Sequence, residues 1–186
     1  MTEKPILFSA PMVRAILAGR KTQTRRIQNG RNRYSVGDRL WVRETHAWAD
    51  KMAEGVERED PVCVAYRADQ TAISHEHENV HALDTTGWNW ERFKWRPSIF
   101  MPRWASRITL DVTAVRVERL QEITQEDAIA EGVGELGWIV PRQREREAFS
   151  ELWDSINAKR AAWASNPWVA VVTFKLAARR APGEEG

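Results

Sequence analysis

Apolar residues recur along this chain in short clusters of two periods, one near three to four residues and one of two. Met12 to Ala18 is the first cluster. Ser9 can cap it, Pro11 suits its opening turn and Gly19 stops it, which predicts a short helix. Arg20-Lys21-Thr22-Gln23-Thr24-Arg25-Arg26 is too polar and β-branched to continue that helix and reads as a turn entering an extended segment. Val36-Gly37-Asp38 is a turn. From Arg39 to Glu44, Leu40 and Val42 alternate with Arg39, Trp41 and Arg43, which predicts a strand. Val62 to Arg67 predicts another. Asp69 to Trp95 has no sustained period and many turn formers, so it reads as an inserted polar arm or flexible segment.

The second half is more regular. Ile108, Leu110 and Val112, then Val115 and Val117, alternate with polar residues, predicting a long strand over Ser106 to Leu120, bulged near Ala114 where the phase slips. Thr124 with Asp127 resembles a capping box and opens a helix that Gly132 ends. Arg142 to Asn157 predicts a longer helix with Phe149, Leu152, Trp153 and Ile156 on one face. Asn166-Pro167 turns the chain into a mostly apolar strand, Trp168 to Leu176, and residues 177–186 read as a disordered tail. Strands interleaved irregularly with short helices imply one α+β domain over residues 1–186, a small mixed β-barrel with flanking helices being one such form.

Hydrophobic residues at 42% supply a core, so a wholly disordered chain is excluded. No apolar run approaches the roughly 20 residues of a membrane helix, and the opening segment does not read as a secretory signal, so no membrane partner and a cytoplasmic location are expected. A single cysteine, Cys63, excludes an internal disulfide and a cysteine-cluster zinc site. Net charge is +2, but it is unevenly placed: nine basic residues and one acid lie between Arg14 and Arg43, and three basic residues and eleven acids between Glu44 and Glu91. Such alternation fits either a basic face for a polyanion or a solvated, salt-bridged surface.

The chain has ten tryptophans, several beside arginine or lysine, as in Lys94-Trp95-Arg96 and Arg103-Trp104. Most suit packing, and one or two suit base stacking. Trp41, on the outward side of its strand, is a candidate of either kind, and Glu44 at the strand end is a candidate cleft residue. His75, Glu76, His77 and His81 are metal-like types, but without helix or strand periodicity they read as a solvated loop, so no metal is expected.

The densest chemistry lies in Gly19 to Arg26. Lys21 sits among Arg20, Arg25 and Arg26, and like charges lower a lysine pKa when the site is also partly dry. A neutral lysine can take a proton from a nearby hydroxyl, so Thr24 is a feasible nucleophile. The competing reading is a basic hairpin that contacts phosphates.

Ile16-Leu17-Ala18-Gly19-Arg20-Lys21 with Thr22-Gln23-Thr24-Arg25-Arg26 resembles the signature of the ASCH domain, a branch of the PUA-like superfamily. The resemblance extends to Val36 to Val42, Ile108 to Val117, Glu126 to Gly132 and Val169 to Phe174, leaving out about Lys51 to Arg103. Trp95 to Ile99 and Met101 to Arg107 are similar to longer ASCH proteins of phages and prophages. The resemblance implies a small mixed β-barrel with a cleft for a nucleotide or nucleoside. The usual pattern is Gly-x-Lys-x-x-Glu-x-Arg. This chain keeps Gly19, Lys21 and Arg26 but has Thr24 in place of the Glu, like the small ASCH amidohydrolases that deacylate N4-acetylcytidine. By that likeness Lys21, Thr24 and Glu131 are the catalytic group, and Arg20, Arg26, Trp41 and Glu44 are substrate-binding candidates. No cofactor is implied, and the partner is a nucleoside or an RNA containing modified cytidine. A module that binds RNA or a modified base without catalysis, through Arg20, Arg25, Arg26 and Trp41, and an ASCH-type ribonuclease are the alternatives. Glu131 stands out physically as well, because a carboxylate in the last turn of a helix opposes the helix dipole.

Overall fold

The closing strand explains the architecture. In a computed structural model that describes residues 2–30, 33–49, 63–76, 79–133 and 144–177, the middle of this strand, β9 (Trp168–Leu176), is an apolar run from Val169 to Val172 because both of its faces are covered there. Val172 and Phe174 enter one core with Phe8, Val13, Leu40 and Leu110. Val169 and Val171 enter another with Leu120, Phe149 and Trp153.

β9 belongs to a five-stranded sheet with β1 (Glu3–Leu7), β2 (Gln23–Ile27), β3 (Arg39–Arg43) and β8 (Thr109–Arg119), in the order β1-β3-β8-β9-β2. β1 and β3 are parallel and the other pairs antiparallel. The phase slip read near Ala114 is a bulge: the β8–β9 register shifts between Val112 and Ala114. α1 (Ala10–Leu17) covers the first core, while α2 (Gln125–Ala130) and α3 (Glu145–Ala161) cover the second. The expected α+β class holds, with the sheet open rather than closed into a barrel. β1 and β2 are its two edges, and the Arg26 guanidinium bridges them by donating to the Leu7 carbonyl at 2.8 Å.

A second sheet, β4 (His46–Trp48), β5 (Cys63–Tyr66), β6 (Thr71–Glu76) and β7 (Asn79–Ala82), is an antiparallel meander. Two of its strands occupy the arm that the hydrophobic pattern left without structure. The residues β6 buries are small, Ala72 and Ser74, and its tight turn places Gln70 at φ 55 without a glycine to announce it. The rest of the arm packs a pile of rings: Phe93 stacks on Trp90 at 5.2 Å and on Trp95 at 5.5 Å.

α3 runs on to Ala161 rather than ending at Asn157, and its expected start at Arg142 lies outside the described residues, as does the tail from 178 onward. Phe149 and Trp153 are buried, but Ile156 is 58% exposed, a departure from the expected apolar face. Trp163, on the turn after α3, is held by its backbone N–H donating to Asp154 Oδ1 at 2.6 Å. Among the described residues no helix is long and apolar enough to cross a membrane.

Candidate functional site

The site forms along the free edge of β2. Phe174 N donates to Thr22 O and Gln28 N to Trp168 O, both at 2.9 Å, so the even-numbered residues of this stretch exchange backbone bonds with β9. The odd-numbered residues therefore turn their N–H and C=O groups away from the sheet. Lys21 uses one of them: its Nζ donates to the Gln23 carbonyl at 2.8 Å.

Lys21 is brought there by the end of α1. Gly19 takes φ 71, and the backbone N–H groups of Arg20 and Lys21 both bond the Ala15 carbonyl. This folds the lysine inward until its side chain has no exposure. Its other two protons go to Glu131, at 2.8 Å to Oε2 and 2.9 Å to the backbone O, so all three ammonium donors are engaged. Burial pushes the Lys21 pKa down. Glu131 opposes that shift, and Arg26 and Arg25 add to it in smaller measure. Desolvation, more than crowding by guanidiniums, weakens this ammonium.

Glu131 reaches the lysine because α2 ends on it. Thr124 Oγ1 accepts from Asp127 N to start the helix, and Gly132 at φ 84 ends it. A Cβ on Gly132 would meet the Ala15 and Lys21 Cβ atoms at 3.1 and 3.2 Å. Gly132→Ala combines that contact with a left-handed backbone. It is expected to lower the unfolding free energy by about 1–2 kcal/mol, read from the urea midpoint at unchanged slope.

Arg25, on the opposite face of β2 from Thr24, ties the same corner together. Its Nη1 donates to Gln23 Oε1 at 2.8 Å and to Glu131 Oε1 at 3.2 Å. Its Nη2 donates to Glu118 at 2.7 Å and to Asp127 at 2.8 Å. Arg116 also pairs with both of those carboxylates. The buried Nε of Arg25 has no partner in the structure. The sequence places Arg25 with the cations of the RNA-binding alternative and not in the catalytic group, and does not mark Asp127, because their partners lie about a hundred positions away along the chain.

Thr24 is buried on β2 and lines a cleft with Arg26, Glu131, Phe149, Trp153 and Ile156. Arg26 lies with its guanidinium 5.3 Å from the centre of the Phe8 ring, and the Lys21 ammonium is 5.6 Å from the same ring. Thr24, Arg26 and Glu131 thus line one cleft, and Lys21 joins it through Glu131. The cleft holds about 30 Å³, space for about two waters, and the stretch of α3 from Phe149 to Asn157 forms one wall of it.

The other candidates lie elsewhere. Arg20 is exposed on the turn. Trp41 is on the outward side of β3, between the guanidiniums of Arg43 at 5.2 Å and Arg103 at 6.0 Å. Glu44 is buried and grips Arg107 by two bonds of 2.9 Å, while Arg107 reaches Asp69 and lies 4.0 Å over the Tyr66 ring. Burial raises the Glu44 pKa, with Arg107 opposing the shift. Glu44→Gln weakens a charged, buried bond pair, so a stability loss of about 1.5–3 kcal/mol in urea unfolding is expected, with no change in substrate KM.

His75 Nε2 lies 3.3 Å from the Tyr66 hydroxyl, and His77 lies outside the described residues. Among the described residues no group of three metal-type side chains gathers.

No family model matches the chain, and no curated protein matches it. Two solved structures are similar to it. The ASCH domain from Lactobacillus crispatus JV V101 aligns over 94% of this chain and 78% of its own, at 13% identity and a TM-score of 0.41. Protein EF3133 from Enterococcus faecalis V583 aligns over 88% and 65%, at 8% identity and a TM-score of 0.43.

Proposed function

We propose that this cleft hydrolyses N4-acylated cytosine nucleosides, with Thr24 as nucleophile, Lys21 as base and acid, and Glu131 as the group that holds Lys21. The observation that carries the reading is the buried Lys21–Glu131 contact of 2.8 Å on the strand edge next to Thr24. Thr24 Oγ attacks the acyl carbonyl while neutral Lys21 accepts its proton. The tetrahedral adduct then expels the N4 amine, which takes that proton back from Lys21. Water, deprotonated in turn by Lys21, hydrolyses the threonine ester, frees the carboxylic acid and restores the hydroxyl. The unpartnered Arg25 Nε and the outward-turned Arg25 N–H are donors beside this cleft for a carbonyl oxygen or base edge. A nucleoside needs more room than two waters, so the α3 segment carrying Ile156 must move aside for entry.

Burial of Lys21 and Arg25 weighs against the basic hairpin reading, because neither offers its charge to an external phosphate. The test is a chromatographic screen of N4-acyl cytidines with the purified protein. Release of cytidine and the matching carboxylic acid is expected. RNA fragments without free acid would point to a ribonuclease, and no turnover of any analogue would overturn the proposal.

A further inference from the structure

Toward its end, α3 holds an apolar side chain in solvent where helical spacing would bury it. Phe149, Leu152, Trp153 and Ile156 follow one stripe, and Phe149 and Trp153 are sealed in the second core, yet Ile156 is 58% exposed. Asn157 beside it is half-buried, and its side-chain amide bonds none of the described residues. Both residues line the cleft that holds Thr24. An exposed apolar side chain next to an uncommitted amide, at the rim of a cleft, suits contact with whatever enters it.

Burial orders the groups by depth. Thr24, Phe149 and Trp153 are each exposed by 4% or less, whereas Ile156 and Asn157 meet solvent. The enclosed space of about 30 Å³ has room for a small acyl group but not for a pyrimidine, so the ring must lie toward the solvent end. The cations there are already engaged. Lys21 gives its three protons to Gln23 and Glu131, and Arg26 donates to the Leu7 carbonyl and lies over the Phe8 ring. The Arg25 N–H adjoins Thr24 in the chain, at the acyl end. Asn157 is the donor left for the ring.

We infer that Ile156 and Asn157 recognise the pyrimidine of the substrate, Ile156 covering a ring face and the Asn157 amide donating to the ring N3 or O2. The inference rests on the hydrolase reading and adds to it the pair that binds the base. N4-acylation leaves N3 and O2 as acceptors, and a neutral amide can donate to them without the desolvation of a charge. An acyl tail could use the apolar side chain but has no use for the amide beside it. The segment of α3 that moves aside for entry is then the one that grips the ring when it returns.

Calorimetric titration of the full chain with cytidine, which carries the ring but no acyl group, measures base recognition apart from turnover. Initial rates on N4-acetylcytidine supply KM and kcat. Asn157→Ala and Ile156→Ala should each weaken cytidine binding about three- to tenfold and raise KM by a similar factor, with kcat unchanged. Asn157→Asp should weaken binding by more than about tenfold, because a carboxylate cannot donate and repels the ring acceptors. Ser155→Ala, exposed on α3 and outside the cleft, should change neither quantity. Ile156 stands mostly in solvent and the Asn157 amide bonds no described residue, so urea midpoints should stay near that of the parent. Cytidine binding that depends on both residues, in a protein that hydrolyses no N4-acyl cytidine, would support the base site and count against the hydrolase alone. Turnover with cytidine affinity and KM indifferent to either substitution would overturn the inference and leave the hydrolase standing. A shift in Ile156→Ala from acetyl toward longer acyl groups, with cytidine binding unchanged, would assign the pair to the acyl chain and overturn the inference too. A parent protein that neither binds cytidine nor hydrolyses its N4-acyl forms would overturn both.

Discussion

Glu131→Ala is expected to lower the unfolding free energy by about 3–5 kcal/mol, a large share of the roughly 5–15 kcal/mol that holds a domain of this kind together. The carboxylate accepts from Lys21 and Arg25, and both cations have fully buried side chains. Arg25 keeps Glu118 and Asp127 when Glu131 is lost, but Lys21 keeps only two backbone carbonyls. The cost is that of an ammonium left without a counter-charge in the interior, and it exceeds the net worth of the ion pair itself. A second variant separates these quantities. Lys21→Met with Glu131→Leu removes both charges from the contact, so it should recover most of the lost stability while remaining inactive in deacylation. Urea unfolding of the two proteins measures the difference. A double variant as unstable as Glu131→Ala would show that Glu131 matters chiefly through Arg25. A double variant that still deacylates would remove Lys21 from the chemistry.

Deacylation should rise with pH and then level off, and Lys21→Met should lower it by about 10²–10⁴-fold and flatten that rise. Only neutral Lys21 can accept the Thr24 proton, and burial has pulled its pKa below the ordinary 10.5. The rate therefore climbs as pH passes up through the lowered folded-state value. Stability follows in the same direction. Below that value the lysine is protonated whether folded or unfolded. Between it and 10.5 the unfolded chain carries a proton that the folded chain does not, so unfolding becomes harder as pH rises. Thr24→Val should abolish turnover at every pH with little change in the urea midpoint. Initial rates for the most active N4-acyl cytidine across this range provide the measurement. A rate that falls as pH rises, or one unchanged in Lys21→Met, would rule the lysine out as base.

By itself the sequence determined the elements whose signals are local: the Gly19 stop of α1, the β3 alternation, the bulge in β8, and the capped start and glycine end of α2. The resemblance to the ASCH signature pointed to Lys21, Thr24 and Glu131, and the carboxylate set against a helix dipole singled out Glu131 a second time. Tertiary structure alone decided what depends on distant partners. Arg25 is legible as basic but not as buried, since Glu118 and Asp127 become its neighbours only when β8 and α2 pack beside β2. Glu44 is drawn to Arg107 for the same reason, 63 positions along the chain. β6 and β7 escaped, unlike β5, because the residues β6 buries are small, and period-two reading depends on large apolar side chains. Periodicity reports which side of an element faces inward. Which charge meets which is settled by packing, because a buried ion pair joins residues that the chain keeps far apart.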